Sequence, residues 1–107
     1  MIKVVYHREY NRLTVTGHAY SGEPGHDLVC ASASALAYTL AANVDNLVER
    51  GQAREPTIEL NDGEANVCCK AIRKYGAVIK LIFSSICAGF EILAQQYPDN
   101  ISYEVRG

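Results

Sequence analysis

The sequence lacks an excess of basic charge, a long apolar span and any repeat, and each absence removes a class of function. Ten Lys and Arg stand against 12 Asp and Glu, for a formal net charge of −2 and a pI of about 5.9. Nucleic-acid binding normally needs a basic face, so no direct nucleic-acid partner is expected. No 18-residue apolar span is present, which argues against a membrane helix. The apolar stretch Ile2 to Tyr6 is too short for the core of a signal peptide, and His7, Arg8 and Glu9 follow it at once. The expected location is therefore the cytoplasm, where Cys30, Cys68, Cys69 and Cys87 would be reduced. Cys68 and Cys69 are adjacent and would point to opposite faces of a strand, which makes them a poor disulfide or metal pair. No cofactor is expected, and no repeat, low-complexity tract or linker divides the chain.

What is present is an ordinary globular composition: 107 residues, 49% of them hydrophobic. That length fits one domain over residues 1–107, burying roughly two-thirds of its unfolded surface. Ile2, Val4 and Tyr6 alternate with Lys3, Val5 and His7, as in a strand, and Leu13 to Gly17 repeats the pattern after a polar hairpin loop at 8–12. Thr57 to Asn61 and Glu64 to Ile72 form a second pair around Asp62-Gly63, the strongest hairpin signal in the chain. Ile101, Tyr103 and Val105 mark a last strand. Two helical stripes intervene: Val29, Ala33, Leu36, Leu40, Val44 and Leu47, with Gly51 as a stop, then Ile79, Ile82, Ile86, Phe90, Leu93 and Tyr97, ended by Pro98. Gly89 interrupts the second stripe at a propensity cost of about 1 kcal/mol, which close helix packing would explain. The order ββαββαβ predicts an α+β fold, a mostly antiparallel sheet with both helices packed on one face.

The chemistry concentrates in the connection between the second strand and the first helix, Gly17-His18-Ala19-Tyr20-Ser21-Gly22-Glu23-Pro24-Gly25-His26-Asp27-Leu28-Val29-Cys30. Its glycines and proline break regular structure. Asp27 is a strong N-cap residue, which places Cys30 at the third helical position, within the field of the helix N-terminus. A thiolate is the nucleophilic form of cysteine, and a helix N-terminus together with a nearby imidazole favours it. His18 is the candidate base and His26 a rival for that role. Strict alternation along the strand sends His18 to the face of Thr14 and Thr16 unless Gly17 re-aims the chain. Taken singly, each residue has a plainer reading: Cys30 as a small packing residue, His18 and His26 as surface groups, and His7 as hairpin surface. A metal set of His18, His26, Asp27 and Cys30 lacks the tight pair spacing of zinc sites, so no metal is expected.

Gly17-His18-Ala19, then Gly25, Asp27, Val29-Cys30-Ala31 and Ser34, resemble the signature of the bacterial ribosomal-processing cysteine proteases, including the interval of twelve residues from histidine to cysteine. Gly89-Phe90 followed by Tyr97-Pro98 is similar to that family's second-helix ending. The resemblance implies a thiol endopeptidase with a Cys-His dyad, Cys30 and His18. It also implies a substrate, the precursor of the twenty-seventh large-subunit ribosomal protein, whose N-terminal extension is removed after an aromatic pair. Gly17, Asp27 and Ser34 would support the site, while Gly22, Gly25 and His26 would belong to a substrate loop. A homodimer follows from the same resemblance. Ser32 and Ala33 depart from the family pattern without removing a chemical group. The alternatives are a non-enzymatic ribosome-associated binding module that engages the same peptide, or a protease acting on phage structural proteins.

Overall fold

Period-two alternation sets the sheet. In the computed structural model, which describes residues 1–18 and 28–107, strand β1 (Ile2–His7) pairs antiparallel with β2 (Arg12–Thr16). Val4 lies opposite Val15 and Tyr6 opposite Leu13, so the apolar members of both strands share one face. A 3-10 turn at Arg8–Tyr10 joins them, closed by Asn11 at φ 47°, a left-handed conformation that asparagine tolerates. Asn11 is buried, and its side-chain oxygen accepts a hydrogen bond from Lys80 Nζ at 2.9 Å. That bond ties the hairpin to the second helix. Gly22, Gly25, His26 and Asp27, expected to belong to a substrate loop and a helix cap, lie outside the described residues.

Strands β3 (Ala53–Asn61) and β4 (Glu64–Ala71) pair antiparallel around Asp62-Gly63. β3 begins four residues before the Thr57 start expected from sequence. The cause is a bulge between Arg54 and Thr57, where Glu55 takes φ 50° and Pro56 follows. A proline ends a strand in a sequence reading, but a bulge absorbs it and pairing resumes at Ala53 and Ala71. β4 also pairs with β2, and β5 (Ile101–Arg106) runs parallel to β1, giving the order β3-β4-β2-β1-β5. The sheet is mostly antiparallel, with a parallel edge.

Helices α1 (Leu28–Glu49) and α2 (Gly76–Gln96) cover the apolar face. α1 buries Val29, Ala33, Ala37, Leu40, Ala41, Val44 and Leu47, close to the expected stripe. α2 buries Ile79, Phe83, Cys87 and Phe90, so its inward stripe is rotated from the expected one, and Ile82, Ile86 and Leu93 pack at its margin. The ring of Phe83 stacks on Tyr6 with centroids 6.0 Å apart. Phe83 and Phe90 are wholly buried, each stabilising the fold by roughly 2–3 kcal/mol. Both helices are long and apolar enough, by length and composition, to cross a membrane. This corrects the sequence reading, which found no such span. Here each lays one face against the sheet.

Candidate active site

β2 leads directly into the site. Its alternation would carry His18 to the polar face of the sheet, but the chain leaves its pleat at Gly17, which sits at φ 94°. Only glycine adopts that conformation readily. It also has no room for a side chain, because a Cβ on Gly17 would run into the carbonyl oxygen of Met1. The Gly17 N–H donates to the Gly63 carbonyl at 2.8 Å, which fixes the end of β2 to the tip of the β3–β4 hairpin. His18 then lines the same concavity as Val15, a residue of the apolar face. Its ring comes close to the hairpin tip: a Cβ built on Gly63 would sit 2.7 Å from His18 Nε2.

From the other side comes Cys30, the third residue of α1 and half-buried. Cys30 lines the concavity that His18 lines, and Ser34 and Tyr38, one and two turns further along, extend the same wall. The hairpin residues Asp62, Gly63 and Glu64 close the opposite side of this cavity of about 100 Å³. The structure thus brings Gly17, His18, Cys30 and Ser34 together.

The remaining cysteines differ from Cys30 in setting. Cys69 lies in the core, where burial pushes its thiol from 9.0 up to about 11, with Cys68 adding to the shift. Burial also raises Cys87, and its hydrogen bond with Tyr103 offsets only part of that. Cys68 points to the other face of the sheet and donates to the Tyr10 carbonyl at 3.4 Å. Among the described residues no three His, Cys, Asp or Glu side chains gather as a metal site. Two members of the metal set weighed from sequence, His26 and Asp27, lie outside those residues. Sequence reasoning missed Tyr38, Asp62, Gly63 and Glu64 as lining residues. Asp62-Gly63 was legible as a turn, but nothing local in the sequence says that the turn closes over His18.

A cysteine at the positive end of a helix, facing a cavity that also holds an imidazole, is the equipment of a thiol-dependent hydrolase, and the α+β scaffold supports it from both sides. The family described as Cysteine protease Prp matches residues 1–102. The chain belongs to that cysteine protease family. It is similar to the ribosomal processing cysteine protease Prp of Staphylococcus aureus, with 29% identity over 85 residues that make up 79% of this chain and 76% of the relative. A crystal structure of the Staphylococcus aureus protease with a covalently linked product peptide shares its fold, with a TM-score of 0.71 and 24% identity over 98% of this chain and 97% of that one. SMU.848 from Streptococcus mutans shares it too, with a TM-score of 0.64 and 23% identity over 97% of this chain and 90% of that one.

Proposed function

We propose that this chain removes the N-terminal extension from the precursor of the twenty-seventh large-subunit ribosomal protein, with Cys30 as nucleophile and His18 as general base. The observation that carries the proposal is that the two side chains line one cavity, although one ends a strand and the other starts a helix. Family membership supports the reaction class. The Staphylococcus aureus relative is a ribosomal processing protease, and its structure holds a covalently linked product peptide, in keeping with covalent catalysis.

The chemistry follows from the parts. The Cys30 proton passes to His18, and the sulfur attacks the scissile carbonyl to form a C–S bond. As the C–N bond breaks, the imidazolium returns its proton to the leaving amine. Water, deprotonated by the imidazole, then splits the thioester and regenerates the thiol. Ser34 offers a hydroxyl on the same wall. In this scheme Asp27 caps α1, and Gly22, Gly25 and His26 shape the approach of the peptide. The enzyme acts in the cytoplasm as a homodimer. Val78, Leu81 and Ile92, exposed along α2, supply apolar surface for such an interface, and light scattering after size-exclusion chromatography tests it.

Incubation with the precursor peptide and mass measurement of the products tests the reaction. The native chain is expected to cut once, and Cys30→Ala and His18→Ala are expected to lose the cut. Binding without cleavage would overturn the proposal. A greater loss in His26→Ala than in His18→Ala would move the base to His26.

A further inference from the structure

We propose that the tip of the β3–β4 hairpin is a positioning element for the base, with Gly63 as the seat of the His18 imidazole. The inference rests on the role of His18 proposed above. The turn by itself explains a glycine here, since Gly63 takes φ 74° and such turns favour one. Three observations go further. A Cβ on Gly63 would lie 2.7 Å from His18 Nε2, 3.3 Å from Cε1 and 3.4 Å from Cδ2, so the ring's Nε2 edge occupies the space that any other residue would fill. The Gly63 carbonyl accepts the N–H of Gly17 at 2.8 Å, so the same residue holds the backbone that leads into His18. Finally, Gly51 has nearly the same conformation, φ 70°, with nothing within 4 Å of its Cβ position. Positive φ in this chain therefore does not in itself demand a close neighbour.

The two glycines make a matched pair. Alanine at either position carries similar backbone strain. At Gly63 it also meets the end of a side chain that rotates away, so the added overlap moves the imidazole without adding much to the loss of stability. Activity and stability should separate. A displacement on the order of 1 Å at a reacting group lowers the rate by up to about 100-fold.

The test compares Gly63→Ala, Gly51→Ala and His18→Ala in the full chain, reading peptide cleavage, thermal midpoint and the rate of Cys30 alkylation by iodoacetamide. Gly63→Ala and Gly51→Ala are expected to lose similar thermal stability. Gly63→Ala is expected to lose about tenfold or more in kcat with KM little changed, and its alkylation rate to move toward that of His18→Ala. Gly51→Ala should stay within about twofold of the native chain on both readouts. Gly63→Asn, which tolerates positive φ while carrying the same Cβ, gives the same comparison should the alanine variant fold poorly. If the Gly63 variants match Gly51→Ala while His18→Ala is inactive, the seat is refuted and the base assignment stands. If His18→Ala cleaves like the native chain, the base assignment falls and the seat with it.

Discussion

Gly89→Ala sets two effects of known size against each other. Within a helix, alanine is favoured over glycine by about 0.8–1.0 kcal/mol, so the substitution stabilises α2 if nothing else changes. At this position, however, the added methyl would lie 2.8 Å from Leu36 Cδ2, 3.1 Å from Cδ1 and 3.5 Å from Cγ. Leu36 packs against the core cluster from α1, so its methyls cannot all retreat into solvent. Overpacking of this kind costs typically 1–3 kcal/mol. The overlap wins, and Gly89→Ala should destabilise the protein by about 1 kcal/mol, lowering the thermal midpoint by roughly 4–8 °C. The decisive comparison is the same substitution in a Leu36→Ala background, where the obstructing methyls are gone and only the propensity gain is left. There Gly89→Ala should stabilise by nearly 1 kcal/mol, so its sign reverses and the coupling approaches 2 kcal/mol. Urea unfolding followed by far-UV circular dichroism measures all four chains. A stabilising Gly89→Ala in the native background would refute the packing argument, as would the same sign in both.

Iodoacetamide at neutral pH should modify Cys30 before Cys69 and Cys87, whose buried thiols are held protonated. Peptide mapping by mass spectrometry reads the order, and equal labelling of the three would contradict it. Raising the pH should weaken the fold over a defined window. The Cys69 thiol titrates near 9.0 when unshielded and at about 11 in the folded chain, so its contribution to stability is complete below about 9 and disappears as the pH approaches 11. The loss cannot exceed about 1.4 kcal/mol per pH unit for this group. Cys69→Ala should be less stable overall but show a shallower decline across the window, and an equal decline in both chains would refute the assignment.

The sequence was most legible where local pattern and tertiary demand coincide. Ile2, Val4 and Tyr6 alternate because they line one face of a sheet, and Asp62-Gly63 makes a hairpin wherever its flanks can pair. α2 was harder to orient for a reason visible in its composition. From Gly76 to Phe90 it is apolar on nearly every side, so several stripes satisfy the helical period. The inward one, Ile79, Phe83, Cys87 and Phe90, is selected by the Tyr6 ring that Phe83 meets. Pro56 shows a local rule overridden by its context. It is a reliable terminator of central strands, yet the bulge at Glu55 lets an edge strand run through it.

Of the site, the individual residues were legible and their meeting was not. Cys30 belongs to a helix start that its own neighbours specify, whereas the direction of His18 depends on a pairing far along the chain. β2 and β4 are in a register that sets Thr16 opposite Glu64, and continuing that ladder by one step brings Gly17 beside Gly63. Strand register is all-or-none in its effect on side chains, since a slip of one residue exchanges the faces. A slip here would put Asp62 or Glu64 where the glycine stands, and a carboxylate side chain would occupy the volume that the His18 ring fills. The buried pair Leu13 and Val67 opposes that slip, because it would turn one of them out of the core. The same core contacts that make the sheet therefore fix the space in which the imidazole sits. Packing in β2 and β4, strands far apart in the chain, sets the position of Gly17 against Gly63 and with it the point from which His18 departs.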